Sequence, residues 1–166
     1  MGEHETSVGK TSEWYTPPEI FAALGLEFDL DPCSPADRTH CAVPAKNFYT
    51  EADDGLNQPW KGLIFMNPPF GGRNGQVPWL EKFFTHGNGV GVVPARTSAK
   101  WFHNYIFKYA EFILFPLGKT AYIAQDGVRG KSPGFGSVLF SIGERGNKAL
   151  MRAKLGWVLE VTDDYV

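Results

Sequence analysis

Gly62-Leu63-Ile64-Phe65-Met66-Asn67-Pro68-Pro69-Phe70 runs from an apolar segment straight into a double proline. A short apolar run bounded by turn formers reads as a buried strand, and two consecutive prolines can neither extend that strand nor enter a helix interior. The backbone after Met66 is therefore held extended with few N–H donors. Such a turn displays acceptors. The carboxamide oxygen of Asn67 and the main-chain oxygen of Pro68 are placed to accept two hydrogen bonds from one amino group, with the Phe70 ring available to stack on the flat molecule that carries it. A planar heteroaromatic amine, such as a nucleobase, matches that pattern.

Outward from this strand the periodicity alternates. Strand-like runs recur at 89–93 and 111–115, and segments of helical period occupy 78–86 and 99–109. Pro78 is expected at the first position of one helix, and Ser98 is expected to cap the next. Upstream, Thr16-Pro17-Pro18-Glu19 reads as a capped helix start with Thr16 as the N-cap, closed by Gly25. Glu27–Asp31 alternates as a strand and breaks at Pro32. Residues 33–61 are expected to hold one short strand and loops. After 115 the pattern turns to short strands at 120–123 and 136–142 around a Gly/Pro-rich loop. The predicted fold class is α/β: a doubly wound, mostly parallel sheet closed by a C-terminal antiparallel hairpin. Residues 1–12 read as a disordered tail and 13–166 as one domain.

The 166 residues, 43% of them apolar, are enough for a conventional core. No stretch approaches the ~20 apolar residues that span a bilayer, and the N-terminus lacks a signal-peptide core. The expectation is an intracellular protein that does not engage membranes. Cys33 and Cys41 lack metal-ligand spacing and no His cluster accompanies them, so no metal site is expected. They read as reduced thiols, with Cys33 a candidate for a pocket wall.

The formal charge of −2 hides an internal asymmetry. Residues 1–95 carry 6 Lys/Arg against 12 Asp/Glu, whereas residues 96–154 carry 10 against 3. The basic half is where a polyanion would dock. Arg73, in the Gly-rich stretch after the double proline, is placed to meet a phosphate. With it, Arg96, Lys100, Arg129 and Lys131 are the candidates for contact with such a polyanion.

Ligands of open α/β sheets bind at the carboxyl ends of parallel strands. Chemistry stands there twice, at Asp31-Pro32-Cys33 and at Asn67–Phe70, so both turns can face one crevice. Asp53-Asp54-Gly55-Leu56 adds carboxylates suited to an adenine amino group or a ribose hydroxyl. Phe83, Phe84, Phe102, Ile106 and Phe107 lie at helical spacing and read as core; His103 reads as a helix-surface residue.

The ordered series Glu13-Trp14-Tyr15-Thr16-Pro17, Asp29-Leu30-Asp31-Pro32-Cys33, Asp53-Asp54-Gly55-Leu56, Trp60, Asn67-Pro68-Pro69-Phe70, Pro94-Ala95-Arg96-Thr97 and Trp101-Phe102-His103 resembles the phage-type Dam family of DNA adenine-N6 methyltransferases, over roughly residues 13–142. The resemblance implies a Rossmann-like methyltransferase sheet, S-adenosylmethionine as methyl donor and double-stranded DNA as substrate, with a phage or prophage origin. It assigns Tyr15, Thr16 and Pro17 to the N-terminal cofactor motif, Asp31, Pro32 and Cys33 to the turn beneath the donor's methionine part, and Asp54 to its adenine. Asn67, Pro68, Pro69 and Phe70 become the catalytic turn. One departure stands out: Asp31 is followed by Pro32-Cys33-Ser34-Pro35 and not by a glycine-rich turn. Two alternatives accompany the adenine-specific reading, a cytosine-N4 methyltransferase and a catalytically inactive DNA-binding protein of the same fold. At this size no dedicated target-recognition domain is expected. Target reading would then fall to the loops after 71 and 126, and a homodimer would enlarge that surface.

Overall fold

A computed structural model describes residues 14–69, 75–130 and 136–162. Along the chain it runs β1 (Trp14–Tyr15), α1 (Pro18–Leu24), β2 (Phe28–Asp31), β3 (Ala45–Phe48), β4 (Ile64–Met66), α2 (Val77–His86), β5 (Gly89–Pro94), β6 (Phe112–Pro116), β7 (Ile123–Ala124), β8 (Ser137–Ile142), α3 (Glu144–Arg152) and β9 (Gly156–Glu160). Two single turns of 3-10 helix, Glu51–Asp53 and Gly55–Asn57, follow β3, and a π-helical segment, Phe102–Phe107, lies between β5 and β6.

Seven strands form one mixed sheet in the order β3-β2-β4-β5-β8-β6-β9. The β3-β2-β4-β5 half is parallel, with Leu30 opposite Ile64 and Met66 opposite Gly91. The β8-β6-β9 half is paired antiparallel, and β8 also runs antiparallel to β5, with Pro94 opposite Ser137. The expected terminal hairpin is thus replaced by an insertion: β8 enters between β5 and β6, and β9 takes the outer edge. β1 and β7 form a separate two-stranded ribbon.

Side chains alternate across the sheet as its pleat requires. Phe65, Val90, Val92, Leu114 and Leu139 meet α1 and α3 on one face, while Ile64, Met66, Val93, Ile113 and Phe140 meet α2 and the π-helical segment on the other. Phe83, Phe102 and Ile106 are fully buried and Phe84 and Phe107 partly so, as their spacing predicts. The Gly-Val-Gly-Val-Val pattern of β5 has a packing cause. A Cβ on Gly91 would lie 2.3 Å from the Phe140 ring, so glycine leaves room for that ring against the strand.

Helix α1 is closed by Gly25 as expected, but it starts at Pro18, one residue later than a Thr16 cap implies: its N-cap is Pro17 and no side chain caps it. Thr16 instead turns inward and is 3% exposed. The segment 144–160, where the sequence pattern predicts no element, contributes α3 and β9. No helix among the described residues is long and apolar enough to cross a membrane.

Candidate active site

At the carboxyl ends of β2, β3 and β4 lies a cavity of about 390 Å³, within the range for small-molecule sites. Its lining unites three separated parts of the sequence: Tyr15 and Thr16; Asp31, Pro32 and Cys33; and Asn67, Pro68 and Pro69. Asp54 lines it as well. Pro17 does not, although it adjoins Thr16. Phe70, Arg73 and Lys131 lie outside the described residues.

Asn67 follows β4 directly and is tied across the molecule to the N-terminal ribbon. Its Nδ2 donates to the main-chain oxygen of Trp14 at 2.8 Å and reaches Thr16 Oγ1 at 3.5 Å. With the amide hydrogens so engaged, Oδ1 is the atom left to accept from a ligand. Thr16 thereby has a second role beyond lining the cavity. The ribbon is anchored in turn by β7, where Tyr15 pairs with Ile123 and Trp14 with Ala124.

Asp31 is 3% exposed at the end of β2. Burial raises its pKa to about 6, against the opposing effects of the Cys33 N–H, which donates to Oδ1 at 3.2 Å, and of Arg38, whose Nη1 lies 3.6 Å from Oδ2. Arg38 is itself held by Ser34 Oγ, by the Val43 carbonyl at 3.1 Å and by the Phe48 ring, 4.4 Å from the guanidinium carbon. Desolvation, then the neighbouring Asp31, pushes the Cys33 thiol well above its ordinary range, so Cys33 presents a neutral S–H and no nucleophile.

The missing glycine-rich turn has a counterpart elsewhere. A Cβ on Gly55 would lie 2.3 Å from the Pro32 carbonyl oxygen, so the close backbone approach beside Asp31 is made by a glycine from the turn after β3. Thr50 and Glu51, which the sequence reading did not single out, also line the cavity. They follow the carboxyl end of β3, and the rule that found Asp31 and Asn67 finds them too once β3 is placed in the parallel half of the sheet.

The residues present fit a nucleoside-containing donor. The cavity has the required size, carboxylates at Asp31, Glu51 and Asp54, aromatic walls at Trp14 and Trp79, and a glycine contact that a side chain would fill. Residues 3–149 match the family described as DNA N-6-adenine-methyltransferase (Dam). The chain belongs to the Dam family. That membership implies DNA adenine-N6 methyltransferase activity and DNA as the substrate. No curated protein and no solved structure matches the chain.

The remaining Dam-family candidates lie outside the cavity lining. Arg96 and Lys100 are exposed just beyond the carboxyl end of β5, on the same edge of the sheet as Asn67. Arg129 is half-exposed and ion-paired with Glu19 of α1. His103 is exposed, its Nε2 2.7 Å from the Thr97 carbonyl, in keeping with a surface role.

Proposed function

We propose that the protein transfers a methyl group from S-adenosylmethionine to the N6 amino group of adenine at specific sites in double-stranded DNA. The observation that carries this reading is the fixed carboxamide of Asn67 at the rim of a cavity whose other walls bear buried Asp31 and exposed Asp54. The strand order supports it, because parallel β2 and β4 bring the Asp31 and Asn67 turns side by side, as a Rossmann-like methyltransferase sheet requires.

Bound S-adenosylmethionine would supply an electrophilic methyl group. Asp31, Pro32 and Cys33 would hold its amino-acid part with Tyr15 and Thr16, while Glu51 would take its ribose hydroxyls and Asp54 its adenine. Asn67 Oδ1 and the Pro68 carbonyl accept hydrogen bonds from the target amine. An aromatic amine is a poor nucleophile because its lone pair is delocalised into the ring. Two acceptors placed on its hydrogens favour the pyramidal nitrogen with a localised lone pair, which is the transition-state geometry. Positioning supplies the rest of the rate. A duplex hides the amine, so the adenine must leave the stack at a cost of a few kcal/mol. Phe70, two residues after Pro68, would stack on the extruded base, and Arg73, Arg96, Lys100, Arg129 and Lys131 would offset that cost at the phosphates.

The Gly55 approach to Pro32 supports a donor-binding enzyme over an inactive DNA-binding relative, since it gives the close backbone contact beside Asp31 in the absence of a glycine-rich turn there. Transfer of labelled methyl from S-adenosylmethionine to unmethylated duplex DNA, followed by nucleoside analysis, tests the proposal. N6-methyladenine formed by the wild type and absent with Asn67→Ala is the expected result. N4-methylcytosine, or no incorporation, would overturn it.

A further inference from the structure

Trp79 stands in the first turn of α2 and lines the cavity. It stacks on Trp60, with ring centroids 6.3 Å apart and planes inclined by 26°. Trp60 is a fixed support: it is 8% exposed, its Nε1 donates to the Gly55 carbonyl at 2.8 Å, and Lys82 Nζ lies 5.2 Å from its ring centroid. Lys82 also donates to the carbonyls of Leu56 and Gln58, so α2 grips the turn that follows β3. That turn holds Asp54 in the left-handed region at φ 55°, where a residue with a side chain sits at a cost and is found preferentially at functional sites. Asp54 lines the same cavity.

We propose that Trp79 is the aromatic wall on which the adenine ring of the methyl donor stacks, with Asp54 accepting from the adenine's exocyclic amine. The assignment rests on the donor site proposed above and names a residue that neither the motif series nor the family match assigns. A half-buried indole and a carboxylate lining one cavity are complementary to a purine amine: the indole offers a π-face and the carboxylate an acceptor. The support behind it is rigid before any ligand arrives, which lowers the ordering cost of binding. Asn67 is held by Trp14 and Thr16, partners that Trp79 does not share.

Calorimetric titration of wild type, Trp79→Phe and Trp79→Ala with S-adenosylhomocysteine and with 5′-methylthioadenosine decides it. Both ligands carry the adenosine half, and only the first carries the amino-acid half. Trp79→Ala should weaken both by the same factor, about ten- to hundredfold, the scale of one lost base–aromatic stack. Trp79→Phe should keep most of the affinity and the wild-type melting temperature, and should lose much of the tryptophan quenching that S-adenosylhomocysteine causes in the wild type. Unchanged affinity in Trp79→Ala would overturn the assignment while leaving the donor site standing. Intact S-adenosylhomocysteine binding with weakened duplex binding would overturn it in favour of a contact to the target base. A wild type that binds neither ligand would overturn it together with the donor site.

Discussion

The Asn67 carboxamide donates 2.8 Å to the main-chain oxygen of Trp14, 53 residues away in sequence. That bond joins the proposed catalytic turn to the β1–β7 ribbon, and β7 belongs to the hairpin that carries Arg129. The orientation of Asn67 therefore depends on an element that lies beside the proposed DNA-binding loop. Removing the Thr16 hydroxyl, the second and longer partner of Nδ2, loosens that orientation and leaves the stronger partner in place. Thr16→Val should lower kcat about three- to tenfold, the scale of one weak hydrogen bond, with duplex KM little changed. Steady-state kinetics on a duplex substrate would measure it; a fall in duplex affinity alone would contradict a positioning role.

Burial of Asp31 makes stability depend on pH. Its folded pKa, about 6, lies above the ordinary value near 3.9, so the folded state binds the proton more tightly than the unfolded chain does. Stability from this group is complete below the unfolded pKa, declines as pH rises through about 6, and is then level. The difference corresponds to roughly 3 kcal/mol, on the order of magnitude only. Asp31→Asn should flatten the melting temperature between about pH 4 and 6.5 and raise it at neutral pH. Denaturation monitored across that range in both proteins is the check. The same variant should bind S-adenosylhomocysteine weakly, because in the proposed donor site the ionised carboxylate would face the ligand's ammonium group.

Arg38 compensates the charge that Asp31 acquires above that pH. Its side chain is 24% exposed against 4% for Asp31, so the pair is shielded from water on the carboxylate side. Arg38→Ala removes that partner together with the contacts to Ser34, Val43 and Phe48. The loss should be roughly 2–4 kcal/mol of stability at pH 8 and less at pH 5, where Asp31 is protonated. Urea titrations at the two pH values would show the difference. Equal losses would mean that Arg38 acts through packing and not through charge.

Gly55 tests the close approach between the turn after β3 and the turn after β2. A Cβ there meets the Pro32 carbonyl oxygen at 2.3 Å, and that obstacle is backbone that cannot rotate away. Gly55→Ala should cost about 1–3 kcal/mol of stability and weaken S-adenosylhomocysteine more than any surface change. Thermal unfolding and calorimetry on the same sample separate the two effects.

The legible features were local ones. The strand before Asn67 announced itself through an apolar run stopped by prolines, and α1, to within one residue at its start, through the Pro17-Pro18 pair and Gly25. The places of Asp31 and Asn67 at strand ends followed from those boundaries. Thr16 misled because an N-cap pattern says nothing of competing partners, and in the fold Asn67 claims it. Helix α3 buries only Gly146, Ala149 and Leu150, too sparse an apolar stripe to register in the sequence reading. The insertion of β8 between β5 and β6 is a choice of partner among similar apolar strands, which periodicity does not encode. Glu51 was hidden for the same reason: its proximity to Asp31 exists only once β3 pairs with β2 in parallel.

Arg96 and Lys100 follow the carboxyl end of β5 and are exposed on the rim that holds Asn67. If they meet phosphates, each displaces about one condensed counterion, so the logarithm of duplex affinity should fall less steeply with the logarithm of salt when they are neutralised. The double variant Arg96→Gln/Lys100→Gln should bind duplex DNA at least tenfold more weakly at low salt. Its slope should be smaller by about 1.5 to 2, and S-adenosylhomocysteine affinity should stay at the wild-type value, because neither side chain lines the cavity. Fluorescence anisotropy between about 50 and 200 mM salt, the range over which such contacts dominate, gives both quantities. An unchanged slope would place the duplex elsewhere, on the face bearing Arg129.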